Sequence, residues 1–236
     1  MALQRGEPTP PLLRGLSPAE QREALSRAVA RRLVKDQVLF RQDETAEALC
    51  LVESGRLKLT QVTADGQTVT VRFTGPGELC AAIAVLDGKT YPFSAAAVEA
   101  SLVRLWTRPV LRELFRKWRV FESNLLEVVG THSREMLDRF RELATEAVPQ
   151  RIARSLLRLA RLGGRPGTDG GILIERVTQQ DLAELAATTI YTVNRVLSEW
   201  ETEGLVRKGR GRLVIRSEKR LVEIAESTPE ARPPRP

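Results

Sequence analysis

Residues 178–204, TQQDLAELAATTIYTVNRVLSEWETEG, constrain this chain more than any other stretch. Thr178 is placed to cap a helix, and Asp181 three residues later sets a carboxylate among the free N–H groups of the first turn. Leu182, Leu185 and Ala186 fall on one face. Ala187-Thr188-Thr189 offers a second cap, after which Val193, Val196, Leu197 and Trp200 recur at i, i+3, i+4 and i+7, the spacing of a helix buried along one side. Tyr191, Thr192, Asn194, Arg195 and Ser198 occupy its other side, and Gly204 can end it. A short helix, a tight turn and a second helix with a hydrogen-bonding outer face describe a helix-turn-helix. Periodicity alone fits an ordinary helical hairpin with a solvated face equally well.

The next residues separate the two readings. Leu205-Val206-Arg207 and Arg212-Leu213-Val214-Ile215 read as strands around Lys208-Gly209-Arg210-Gly211. Between Gly204 and Arg220 stand Arg207, Lys208, Arg210, Arg212, Arg216, Lys219 and Arg220 against Glu218 alone. A solvated face mixes its charges, whereas a cationic hairpin beside such a helix makes a wing suited to phosphates. The pattern is a winged helix-turn-helix, with Lys208, Arg210 and Arg212 expected on the nucleic-acid backbone.

Upstream the pattern is different. Residues 1–11 are Pro-rich and expected to be disordered, as is the tail 227–236. Leu13 to Ala30 reads as helix, opened by Ser17-Pro18-Ala19-Glu20. From Arg32 to about Trp106 the chain reads as short strands. Val38–Phe40 and Leu49–Val52 are apolar runs, Asp65-Gly66 marks a hairpin, and Val69, Val71 and Phe73 alternate with Thr68, Thr70 and Arg72. Leu102–Trp106 is the last strand. Many short strands at regular spacing predict an antiparallel roll or jelly roll.

From Pro109 a long helix is expected, running to about residue 148. Leu126, Val129, Ser133, Met136, Phe140 and Leu143 are spaced 3, 4, 3, 4, 3, a heptad seam. Leu125, Val128, His132 and Leu137 form a second stripe. Two stripes imply two partners, the roll and the same helix of a second copy; the alternative is one wide buried face within a monomer. Pro149 breaks or restarts the helix, Arg151–Leu162 forms another with Ile152, Leu156, Leu157 and Leu159 inward, and Gly163–Gly171 reads as a loop before Ile172–Ile174. The organisation is α+β: a roll over 12–108, a connecting and dimerisation helix over 109–148, and a winged helix-turn-helix over 149–226.

Composition sets outer limits. The net charge of +7 favours a polyanionic partner. No apolar run approaches the roughly 18 residues that span a bilayer, and the N-terminus lacks a signal-peptide core, so a cytoplasmic location without membrane attachment is expected. Jelly-roll metalloenzymes need several histidines with carboxylates, and this chain has one histidine. It also lacks a phosphate-binding loop, so enzymatic activity is not expected. Cys50 and Cys80 form neither a disulfide framework nor a zinc cluster.

The order of parts, with Gly77-Glu78-Leu79 in the roll, Arg151-Ile152-Ala153 after the long helix and the 178–215 signature, resembles the CRP/FNR family of transcription regulators over residues 12–226. The resemblance implies a sensor domain over the roll and a homodimer binding palindromic promoter DNA and acting on RNA polymerase recruitment, as an activator among other modes. By resemblance Arg195 reads guanine through its two-pronged guanidinium. Tyr191 stands where many members carry a cytosine-reading Glu, Ile190 where some carry Arg, and Asn194 at a Ser or Gly position. Thr192 joins them on the bases, with Thr178, Thr189 and Ser198 on phosphates. Tyr191 as a plainly exposed helix residue is the alternative.

The effector chamber implied by the resemblance comprises Gly77, Glu78, Cys80, Phe93, Ser94 and Met136. Cyclic-nucleotide-binding members carry an Arg-Ser pair for the phosphate, and here Phe93 precedes Ser94. The two base-contacting positions on the long helix are Met136 and Leu137, both apolar. A buried phosphate without a charged partner costs several kcal/mol, so an effector other than cyclic AMP, or none, is expected, as in the gas- and redox-sensing branch. Residues 1–30 contain no cysteine, which excludes the N-terminal iron–sulfur cluster of some members. Haem sensing nitric oxide, carbon monoxide or redox state stays open through His132 or Cys80, with plain packing of both as the alternative. Another alternative is a ligand-binding module that does not use its helix-turn-helix. Asp36 and Asp43 replace turn glycines of the family.

Overall fold

The computed structural model describes residues 9–167, 170–209 and 211–227. They form two compact units that divide between Glu135 and Met136, inside one long helix. Residues 1–8, most of the N-terminal stretch expected to be disordered, and residues 228–236 of the tail lie outside the described residues.

In the first unit Pro11–Leu13 is a 3-10 turn with Leu12 and Leu13 fully buried, so Pro11, expected to be disordered, is part of a defined turn. The side-chain amide of Asn124 donates to the carbonyls of Leu12 at 3.0 Å and Arg14 at 2.7 Å, which fixes this entry. Helix α1 is Pro18–Ser26, opened by a reciprocal capping box of Ser17 and Glu20. It is shorter than the expected 13–30 at both ends. Val29–Leu33 is instead a strand, β1, because it pairs along Ser101–Leu105, and tertiary pairing outweighs local propensity.

The remaining strands are β2 (Val38–Phe40), β3 (Ala48–Ser54), β4 (Leu57–Val62), β5 (Thr68–Thr74), β6 (Leu79–Cys80), β7 (Ser94–Ala97) and β8 (Ser101–Thr107). They make two antiparallel four-stranded sheets, β1-β8-β3-β6 and β2-β7-β4-β5, with Leu49, Leu51, Leu57, Leu59, Val103 and Trp106 in the core. Asp36 and Asp43 hold left-handed turns at φ +66° and +67°, so the turns survive the loss of glycine; Asp tolerates this region better than most residues. The strict alternation expected along 68–73 fails. The register with β4 slips between Leu59↔Arg72 and Thr60↔Thr70, leaving Val71 as the extra residue of a β-bulge, half-buried while Thr70 and Phe73 are buried. An additional helix, α2 (Ala82–Asp87), follows β6 and stops at Gly88, φ +72°.

The helix expected to run unbroken from Pro109 is two helices, α3 (Arg108–Lys117) and α4 (Arg119–Thr145). Trp118 separates them with an extended backbone, φ −132° and ψ 101°, and its ring is buried in the roll core. Phe121, Leu125 and Val128 carry the first half of α4 into that core, Phe121 meeting Trp106 edge-on at 6.2 Å. Leu126, Met136, Phe140 and Leu143 are exposed, Met136 at 67% and Phe140 at 72%. Val129 packs partly against the core and Ser133 folds its hydroxyl onto the Val129 carbonyl at 2.9 Å. Leu137, expected on the inner stripe, is exposed and widens the outer apolar face.

The second unit contains the end of α4, helix α5 (Val148–Gly163), strands β9 (Arg165–Pro166) and β10 (Ile172–Glu175), helices α6 (Gln179–Leu185) and α7 (Ile190–Thr202), strands β11 (Val206–Gly209) and β12 (Arg212–Ile215), and helix α8 (Glu218–Glu226). Its sheet order is β11-β12-β10-β9. The expected 163–171 loop therefore contributes an edge strand, paired Leu173↔Arg165. Pro149 lies in the first turn of α5, where its missing N–H leaves no bond unmade. Helix α8 packs on α5 through Leu221 and Ala225.

Candidate nucleic-acid interface and effector chamber

Thr178 caps α6 from both directions. Its hydroxyl accepts from the Asp181 amide at 3.0 Å, and the Asp181 carboxylate accepts from the Thr178 amide at 2.8 Å. The hydroxyl also donates to that carboxylate at 2.8 Å. Thr189 caps α7, accepting from the Thr192 amide at 3.2 Å. Both threonines thus mark helix N-termini, where free N–H groups favour an anion.

The turn between the helices closes with an alanine in glycine's conformation. Ala187 has φ +47°. The Thr188 amide donates back to the Ala183 carbonyl at 2.9 Å and the Ala187 amide to the Glu184 carbonyl at 3.1 Å, the two bonds of a Schellman end.

Val193, Val196, Leu197 and Trp200 anchor α7, and its outer face presents Tyr191 at 83% exposure together with Thr192, Asn194 and Arg195. Arg195 Nη1 donates to Glu199 Oε1 at 2.9 Å, an exposed i,i+4 pair that a stronger acceptor can displace. Ser198 donates to the Asn194 carbonyl at 2.8 Å and accepts from Lys208 Nζ at 2.8 Å.

In the wing, Gly209 pairs with Arg212, leaving two residues for the turn, with Gly211 at φ +69°. Lys208 and Gly209, expected in the turn, extend β11. Glu201 accepts from the Lys208 amide at 2.7 Å and lies 3.3 Å from its ammonium. Lys208 thus straps the wing to α7. Arg212 is exposed. Arg210 lies outside the described residues. A groove of about 410 Å³ separates the wing from the helices, lined among others by Thr178, Gln180, Ile190, Lys208 and Arg212.

In the roll, Gly77 turns the chain at φ +81°, and Glu78 Oε2 accepts from the Gly75 amide at 3.0 Å and Arg72 Nη2 at 3.3 Å. Arg72 also reaches Glu135 of α4 at 3.5 Å. Burial nevertheless holds the Glu78 carboxyl above its usual range, outweighing the guanidinium and the amide. His132 is pushed down to about 4, first by burial and then by Arg72. Neither Arg72 nor Glu135 stood out in the sequence, since a lone charged residue on a strand or a helix face reads as solvated.

Phe93 packs partly into the core, 6.2 Å from Phe40. Ser94 is drawn elsewhere: its hydroxyl accepts from the Gln42 amide at 2.9 Å, beside an open surface hollow. Cys80 lies directly across from Cys50 in the β3–β6 pair, both buried, and burial raises the Cys50 thiol. A thiol packed into a strand pair fits haem poorly, since iron ligation needs an accessible thiolate. Met136 stands on the exposed face of α4. Among the described residues no group of three or more His, Cys, Asp or Glu is placed to hold a metal, and no helix is long and apolar enough to cross a membrane.

Residues 30–117 match the cyclic nucleotide-binding domain and residues 150–224 the Crp-like helix-turn-helix domain. The chain is 34% identical to a cyclic AMP receptor protein of Thermus thermophilus over 91% of this chain and 96% of that one. It is 25% identical to an anaerobic regulatory protein of Bacillus subtilis, covering 75% and 74% of the two chains. It is 30% identical to a nitrogen fixation regulation protein, FixK, of Azorhizobium caulinodans, covering 75% and 71%. Among solved structures it resembles the Thermus thermophilus catabolite activator protein, at 34% identity and a TM-score of 0.54, covering 91% and 98%. The FixK2 structure from Bradyrhizobium japonicum shares the fold at 23% identity and a TM-score of 0.73, covering 85% and 98%. Sensor-type roll, long helix and winged helix-turn-helix, matched in order, place this chain in the CRP/FNR family of transcription regulators.

Proposed function

We propose that the chain binds a palindromic promoter site as a homodimer and modulates RNA polymerase recruitment, in response to an effector other than cyclic AMP or with none. The observation that carries the reading is α7: four apolar anchors on one side, and Tyr191, Thr192, Asn194 and Arg195 presented together on the other, strapped to a cationic wing. Thr178 and Thr189 at the helix N-termini, Ser198 on the exposed side of α7, and Lys208, Arg210 and Arg212 in the wing serve the phosphates, and Arg195 serves a guanine. The exposed row Leu126, Met136, Phe140 and Leu143 supports a second copy as the partner of α4. A selection of duplexes from a random pool tests this, and the expected product is a twofold-symmetric site with half-sites about one helical turn, roughly 34 Å, apart. Recovery of no sequence preference would favour a module that does not use its helix-turn-helix.

The relatives' names point to different signals, one to cyclic AMP and others to anaerobic or nitrogen-fixation regulation, so the effector is argued from residues. By the family pattern Phe93 stands where cyclic-nucleotide-binding members carry an arginine, and the Glu78 carboxylate is taken up by Arg72. Calorimetric titration with cyclic AMP is expected to give no heat of binding; micromolar affinity would overturn this part. A haem-dependent gas or redox sensor remains the second reading, resting on His132, and an unchanged visible spectrum after haem addition would remove it.

A further inference from the structure

Every carbonyl at the end of α6 has a known destination, and three of them leave the motif. The carbonyls of Ala183 and Glu184 are used by the turn itself, and that of Leu182 by the Ala186 amide at 2.9 Å. The next three, of Leu185, Ala186 and Ala187, point out of the helix and would go unmatched. Arg139 on α4 donates to Leu185 at 3.2 Å. Arg151 on α5 donates through Nε to Ala186 at 2.8 Å and through Nη2 to Ala187 at 3.2 Å. Its remaining arm, Nη1, donates to the Glu146 carbonyl just past the end of α4 at 2.8 Å. The same stretch of α4 is fixed to α5 by ion pairs, Arg154 to Glu146 at 2.9 Å and Arg158 to Glu142.

We infer that Arg139 and Arg151 are positioning residues for sequence reading: they hold the turn that sets the direction of α7, and they tie that direction to the end of the long helix. The inference rests on the proposal that α7 reads bases. Its physical basis is threefold. Ala187 occupies a conformation that alanine disfavours, so the turn needs support from outside. Two guanidiniums with fixed planar forks supply it, and charge-assisted bonds are stronger than neutral ones. The held carbonyls lie within four residues of Thr189, the cap from which α7 starts. Arg139 is also flanked in sequence by Phe140, on the exposed apolar face of α4, so whatever covers that face acts on the residue next to the turn's support.

The test exploits the different demands on the two arginines. Arg151 spans three separate carbonyls, which one ammonium cannot do, whereas the Leu185 bond needs one donor. Arg151→Lys is therefore expected to lower affinity for a duplex selected by the wild-type protein by about tenfold while leaving a scrambled duplex within about twofold. Arg139→Lys should keep the wild-type ratio and Arg139→Ala should lose part of it. Hydrogen exchange of the 188–192 amides should quicken in Arg151→Lys and Arg139→Ala while the α5 amides stay protected. Equal loss on both duplexes, or an unchanged ratio in Arg151→Lys, overturns the inference. Should Arg151→Lys not fold, the Arg139 pair decides alone: equal ratios for Lys and Ala count against it. Failure of the wild-type protein to prefer any duplex would instead remove the DNA-reading proposal beneath it.

Discussion

Arg195 illustrates how a surface ion pair is compatible with the recognition proposed for it. Its bond to Glu199 is exposed on both sides, worth a few tenths of a kcal/mol at most, so it steadies the guanidinium without withholding it from a guanine edge. Arg195→Ala is expected to weaken the selected duplex by about 1–3 kcal/mol and a scrambled one little; equal loss in a paired gel-shift titration would make it a phosphate anchor. Ala187 supports a second expectation. Replacing it by glycine removes the cost of left-handed alanine, so Ala187→Gly should raise the stability of the second unit by about 1 kcal/mol in urea unfolding. Single residues were legible where their partner is local. The Thr178–Asp181 box could be read because three residues separate its members, whereas Arg151 could not, since its partner Ala186 lies 35 positions away.

Elements were legible by period and lost where packing overrode it. Helix α7 and strands β2 to β5 and β8 followed from spacing, whereas β6 and β7 did not, Trp118 breaks an otherwise helical run because its ring needs the core, and β1 exists only because β8 offers an edge. Helix α4 carries two expectations. Met136→Glu with Phe140→Glu places two carboxylates on the exposed apolar face, and sedimentation is expected to show monomers; an unchanged dimer would remove that face from the interface. The other concerns acid. His132 has a folded value near 4 against an ordinary 6.5, so between those limits only the unfolded chain takes its proton, and stability falls as pH drops through that window. Glu78 works in the opposite direction: its raised carboxyl favours the folded state at low pH and loses that contribution as pH rises through its shifted value. His132→Gln should therefore flatten the acid limb of a stability-versus-pH curve, by on the order of 1 kcal/mol after screening, because His132 is partly exposed. An unaltered limb would assign the acid sensitivity elsewhere.

For the molecule as a whole, the order of its parts identified the family from sequence, because sensor, long helix and winged helix-turn-helix each carry their own pattern. The chamber was less legible. Phe93 could be seen in place of an arginine, but Arg72 reaching Glu78 and Glu135 depends on how the roll folds around a bulge that no residue announces. Binding should be strongly salt-dependent, and Arg212→Ala should reduce the slope of log affinity against log salt by about one per contact removed, twice that for a dimer; an unchanged slope would place Arg212 off the backbone. The strap from Lys208 to Ser198 and Glu201 has a kinetic consequence. On the proposed reading it favours states in which the hairpin and the helix approach the groove together, so a sliding protein would keep its reading surface near the bases. Sequence should then be felt during the search itself, with target sites captured faster than random ones and not merely held longer.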